Sequence, residues 1–150
     1  MTSNVPLSPL EERLWRALMR VMVALPKALD DDLLKATGLT MSEYQVLVHL
    51  SEAAEREMRM TELAEATALS ASRISRVVNA METRGWVEKR RDAFDARASV
   101  STLTAEGLRR LESAYPTNLA STRDRVIEHL DKRSLSGLAS QLEAIAAQLN

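Results

Sequence analysis

The sequence predicts a mainly α-helical protein carrying one small β-hairpin, and three observations lead there. Only 3% of its 150 residues are aromatic and four are Gly, a composition that disfavours a β-sandwich. Apolar residues recur at helical spacing over long stretches at both ends of the chain. Between residues 86 and 103 the pattern changes to two short runs separated by a polar turn. At 45% apolar and 27% charged, the chain has the make-up of an ordinary soluble domain. A compact chain of this length buries roughly 70% of its unfolded surface.

Each element carries its own signal. Ser8-Pro9-Leu10-Glu11 forms a capping box with Pro at the first helical position, and Leu10, Leu14, Leu18, Val21, Leu25, Leu29 and Leu33 continue the stripe to Gly38. Pro26 inside it predicts a kink or a split. Thr40-Met41-Ser42-Glu43 is a second box, opening a helix to about Ala54. Met58-Arg59-Met60 reads as a short strand, Thr61 as the cap of a brief helix over 62–66, and Thr67-Ala68-Leu69 as a tight turn. Ser70 caps the next helix, which ends at Arg84 with Gly85 behind it. Residues 86–91 and 97–103 read as paired strands around the turn 92–96. Thr104 caps a long helix whose stripe passes Pro116 to Leu119, Val126 and Leu130. Ser134 or Ser136 opens a last helix bearing Leu138, Leu142, Ile145 and Leu149.

Composition removes several chemistries. Cysteine is absent, which excludes disulfides, Cys-based zinc sites, iron–sulfur clusters and thiol redox sensing. Two His without grouped carboxylates offer no metal site, and no cofactor is expected. Neither a Ser/His/Asp grouping nor a Gly-rich phosphate loop is evident, so no catalytic residue is assigned. No charged-then-apolar leader opens the chain and no apolar run approaches 18 residues, so a cytoplasmic protein is expected.

The order short helix, three-residue turn, capped helix and basic hairpin is that of a winged helix-turn-helix. A recognition helix enters the major groove N-terminus first, so small polar and basic residues belong on its first turns. Residues 70–79 read Ser-Ala-Ser-Arg-Ile-Ser-Arg-Val-Val-Asn. Ile74, Val78 and Met81 share one stripe and seat the helix, leaving Ser72, Arg73, Ser75, Arg76 and Asn79 free for phosphates and base edges. Ser70, as cap, leaves backbone N–H groups for a phosphate. Taken alone, Arg73 and Arg76 are no more than a solvated face; the motif around them reverses those odds. In the hairpin, Lys89, Arg90, Arg91 and Arg97 gather at the distance of an adjacent minor groove. Asp92 and Asp95 repel phosphate and need another role; Asp95 is placed to brace either Arg97 or the turn backbone.

These residues carry a resemblance. Arg59-Met60-Thr61-Glu62-Leu63-Ala64, the run Leu69 to Val78, Arg84-Gly85-Trp86-Val87, and Asp95-Ala96-Arg97 followed by Leu103-Thr104 resemble the MarR family of bacterial transcriptional regulators. The resemblance implies a homodimer of two winged-helix lobes, a pseudo-palindromic operator and a small-molecule ligand that releases DNA. It further implies that Arg97 enters the minor groove with Asp95 as its partner in the wing. The thiol-oxidation sensors of the family need a cysteine that this chain lacks. Urate-responsive members carry an acidic residue after the aromatic of the second helix, where Tyr44 is followed here by Gln45.

The expected division is an N-terminal dimerisation helix over 1–37, a DNA-binding lobe over 38–104 and C-terminal dimerisation helices over 105–150. The terminal stripes exceed what a roughly 65-residue winged helix can cover, and exposed stripes of that size mark interfaces. A two-fold dimer sets recognition helices about one DNA turn, roughly 34–36 Å, apart. Family pockets lie where the dimerisation helices meet the lobe, which makes Trp15, Tyr44 and His49 the ligand candidates. Each also has a plainer role: Trp15 as interface core, Tyr44 as a half-buried ring with its hydroxyl in water, His49 as a structural side chain. Trp86 is expected to anchor the hairpin to the lobe.

The leading expectation is therefore a ligand-responsive repressor that binds duplex DNA as a dimer. A winged helix that binds protein instead is the alternative, and such modules usually lose the basic wing. A net charge of −1 does not argue against DNA. Residues 1–67 carry 7 basic and 11 acidic side chains, residues 68–97 carry 7 and 4, and residues 98–150 carry 6 of each. The positive charge is confined to the reading head, and phosphates respond to the local field.

Overall fold

Two capping boxes start the first two helices where the sequence places them. The computed structural model, which describes residues 5–149, opens with α1 over Pro9–Thr37. Ser8 Oγ accepts from the Glu11 N–H, and the Ser8 N–H donates to the Glu11 carboxylate at 2.7 Å; the Ser8 hydroxyl first and its N–H second lower that carboxyl's pKa. Pro26 does not split the helix. Its missing N–H costs one bond to the carbonyl four residues back, and packing of α1 along the later helix Ala105–Arg125 holds the rest. Gly38 ends α1 in the left-handed region, at φ 74°. The Thr40–Glu43 box then opens α2 (Met41–Glu52), and Asp30 of α1 accepts from the Met41 N–H at 2.6 Å.

Glu55 and Arg56, both at positive φ, turn the chain into β1 (Glu57–Arg59). The next helix, α3, runs Met60–Thr67 and is longer than expected. Thr61 is not its cap. Arg59 holds the cap position and Thr61 already lies inside the helix; Glu62 at the third helical position accepts from the Arg59 N–H at 3.0 Å. Ser70 caps α4 (Ala71–Thr83) by accepting from the Arg73 N–H, and Gly85 follows at φ 74°.

β2 (Val87–Arg91) and β3 (Ser99–Leu103) form the hairpin, and β1 adds to β3 to give the antiparallel order β1-β3-β2. β3 starts two residues later than expected. Arg97 and Ala98 remain in the turn because the Ala98 N–H donates to the Asp95 carbonyl and the Asp92 N–H to the Ala98 carbonyl, both at 2.9 Å. Thr104 caps α5 (Ala105–Arg125). The stripe reaching Val126 and Leu130 does not continue this helix: Val126 leaves helical geometry and a 3-10 turn occupies Ile127–His129. α6 spans Leu135–Ala147; Ser134 precedes it, but its hydroxyl donates to the Asp131 carbonyl instead of capping.

The core joins α2, α3, α4 and the sheet through Val46, Leu47, Leu50, Leu63, Ile74, Val78, Met81, Val87 and Leu103. It also takes Leu33 from α1 and Leu111 and Ala114 from α5, so the lobe is closed by the ends of the long helices. α5 approaches the hairpin root closely enough that a Cβ on Gly107 would lie 2.1 Å from the Trp86 carbonyl oxygen. Outside the lobe the picture reverses. Leu10, Leu14, Trp15, Leu142 and Ile145 all stand exposed on α1 and α6. Among the described residues no helix is long and apolar enough to cross a membrane, and no group of three His, Asp or Glu is placed to hold a metal ion.

Candidate nucleic-acid interface

The apolar face of α4 points inward through Ile74, Val78 and Met81. Ser70, Ser72, Arg73, Ser75, Arg76 and Asn79 are all exposed on its other faces. Ser75 comes together with Lys89 and Arg97 along a groove of about 200 Å³ between α4, the start of α3 and the wing. Asn79 is not free: its side-chain oxygen accepts from Lys89 Nζ at 2.7 Å, and Glu82 accepts from the Lys89 N–H at 3.1 Å. These two bonds fix the wing's first strand against the recognition helix.

Strand alternation divides the wing cations between two faces. Glu57 and Glu88 flank Thr102, and Arg59 and Arg90 flank Val100, so these side chains share the outer face. Lys89 and Arg91 take the face turned towards α4. Arg90, expected to contact DNA, pairs here with the Glu57 carboxylate, whose two oxygens lie 2.8 Å from its Nη2. Among the described residues, Arg73, Arg76, Arg91 and Arg97 pair with no carboxylate.

The two wing aspartates both act on the turn. Asp95 Oδ1 accepts from the Arg97 N–H at 2.9 Å, a bond to the backbone and not to the guanidinium. Asp92 is the more committed. Its Oδ1 accepts from the Phe94 N–H at 2.8 Å and the Asp95 N–H at 3.3 Å, while its Oδ2 meets Arg59 Nε at 2.7 Å. With its side chain only 7% exposed, those donors hold its carboxyl below the ordinary aspartate value, the Phe94 N–H most strongly. The Arg59 pKa rises in turn. No local pattern signals this role of Arg59, whose partner lies 33 residues away.

A second cluster holds the reading head to the long helices. Trp86 is buried at the hairpin root, with the Arg84 and Arg110 guanidinium carbons 4.9 and 5.4 Å from its ring centroid. Arg84 Nη1 donates to the buried Glu43 of α2 at 2.9 Å, and Arg110 donates to the Thr37 carbonyl at the end of α1. Trp86 thus anchors the hairpin as expected. Farther along, Asp32 of α1 takes Arg125 Nε at 2.5 Å and the Ser121 hydroxyl, which together depress its pKa strongly.

The ligand candidates are not brought into one cavity. Tyr44 is 5% exposed and belongs to the core, not half-buried as expected; burial raises its hydroxyl pKa against a hydrogen bond with Asn118. His49 is half-buried in the last turn of α2. Trp15, 51% exposed, borders a depression of about 460 Å³ with Pro6, Leu7, Glu12 and Arg16.

Comparison with known proteins places this architecture. The model of the MarR family matches residues 37–98. AbsC, a MarR family transcriptional regulator from Streptomyces coelicolor, is 35% identical with a TM-score of 0.88, over 97% of this chain and 98% of its own. Sco3205, a MarR family regulator from the same organism solved in complex with DNA, is 30% identical with a TM-score of 0.89, over 97% and 94%. The transcriptional repressor MprA of Escherichia coli K12 is 26% identical over 116 residues; the match spans 71% of this chain and 66% of that repressor's length. The chain belongs to the MarR family of transcriptional regulators.

Proposed function

We propose that this protein is a sequence-specific repressor that binds a pseudo-palindromic duplex as a homodimer, with α4 in the major groove and the wing in the minor groove. One observation carries the reading: Arg73 and Arg76 on α4 and Arg91 and Arg97 on the wing are left without carboxylate partners beside the Ser75–Lys89–Arg97 groove. Ser70, Ser72, Ser75 and the N-terminus of α4 supply neutral donors to the same strand of phosphates. Asn79 and Asp95 act in this reading as positioning residues for Lys89 and the wing turn. Two relatives add support, since Sco3205 is found in complex with DNA and MprA is a repressor.

The dimer follows from the apolar side chains that α1 and α6 leave in water, Leu10, Leu14 and Trp15 on one and Leu142 and Ile145 on the other. On this reading residues 1–37 and 105–150 form the dimerisation module and residues 38–104 the reading lobe. A small-molecule effector acts where the two meet.

Selection of duplexes from a randomised pool by the full chain tests the central reading. Recovery of an inverted repeat with half-sites about one helical turn apart is the expected result. Recovery of no duplex would return the chain to a protein-binding winged helix. Sedimentation of Leu142→Asp should show monomers with a native circular dichroism spectrum; an unchanged dimer would move the interface elsewhere.

A further inference from the structure

The tip of the wing carries a side chain that the ionic account does not use. Phe94, the only phenylalanine in the chain, is 96% exposed. It does not sit on a loose loop. Asp92 accepts from its backbone N–H, Arg59 grips the other oxygen of that carboxylate, and Asp95 and Ala98 close the turn behind it. Ordering an exposed turn this thoroughly costs conformational entropy, and it holds an aromatic ring out into water. Arg91 and Arg97 bracket the tip, so phosphates drawn to them bring a groove edge to the ring.

We propose that Phe94 is a non-ionic reader at the wing tip, resting on the DNA-binding reading above. Its ring enters the minor groove beside Arg97 and wedges against a base step. Apolar wedges of this kind partly unstack the step they meet, at a cost that depends on its stacking, and pyrimidine–purine steps yield most easily. The wing then selects deformability as well as charge. Asp92 and Arg59 are positioning residues in this scheme, because a ring on a mobile turn would lose much of its gain to ordering.

The test uses the full chain and the duplex it selects from a randomised pool, with 2-aminopurine placed at successive steps under the wing. Phe94→Ala should weaken binding about tenfold, within the range a base–aromatic contact contributes, while leaving the log–log salt slope unchanged because no phosphate contact is lost. Phe94→Leu, still an apolar wedge, should keep most of the affinity. Wild type should brighten 2-aminopurine at one step, and Phe94→Ala should not. Equal affinity and equal fluorescence for wild type and Phe94→Ala would overturn the proposal and leave the DNA-binding reading standing. A Phe94→Ala variant that binds DNA normally but shifts the protein's own association state in sedimentation would also overturn it, assigning the ring to a protein contact. Failure of the wild type to retain any duplex would overturn both.

Discussion

The two faces of the wing hold similar numbers of cations and treat them differently. On the outer face Arg90 is neutralised by Glu57 and Arg59 by Asp92. On the face turned to α4, Lys89 is held only by a neutral amide and a backbone bond, and Arg91 and the turn residue Arg97 meet no carboxylate. Charge on the outer face is paired within the wing; charge on the inner face is unpaired among the described residues, and there the proposed reading places phosphate. Counting basic residues therefore overstates the reading surface. A phosphate meets the uncompensated field, and paired guanidiniums contribute little to it.

Breaking the outer face should do the greatest damage, because the inner face depends on it. Asp92→Ala removes the anchor of the whole turn, and we expect DNA affinity to fall roughly tenfold to a hundredfold, the scale of one spoiled contact in a specific site. Fluorescence anisotropy with a selected duplex measures it. Arg97→Ala comes next: it should lower the log–log salt slope by about 0.9, the loss of one phosphate contact. Glu57→Gln sharpens the contrast in the other direction. Freed of its partner, Arg90 should reach phosphate and steepen the slope by up to about 0.9. Arg90→Ala in the wild-type background should have the smallest effect, leaving the slope within experimental error.

Acid offers a reversible version of the first change. The folded Asp92 carboxyl lies below its unfolded value, so its contribution is fully present above about pH 4 and is lost as pH falls through the depressed value. Titration followed by NMR should show the Phe94 and Asp95 amide shifts moving together below that of exposed aspartates. Asp32, between α1 and α5, has the same sign: Asp32→Asn should lower the melting temperature at neutral pH, and the difference from wild type should vanish in acid.

Local features of the fold were legible because their causes are local. The Ser8, Thr40, Ser70 and Thr104 caps lie within three residues of the donors they satisfy, and the α4 stripe announces its buried face. The α3 start differs because Glu62 closes the N-terminus from the third helical position, accepting from the Arg59 N–H, where no hydroxyl marks the cap. The sequence places the candidate side chains on their elements but does not foretell their partners. Arg90 and Arg91 are adjacent and chemically alike; only strand pairing sends one to Glu57 and leaves the other free. Nothing in the α4 sequence foretells that Asn79 accepts from Lys89 ten residues on. Tyr44, expected half-buried with its hydroxyl in water, is buried in the core.

The most direct measurement is the salt dependence of duplex binding by wild type, Arg97→Ala and Arg90→Ala, titrated side by side on one selected duplex. Arg97→Ala should lose about 0.9 of the slope while Arg90→Ala keeps the wild-type value. Equal loss from both variants, or no loss from Arg97→Ala, would contradict this expectation.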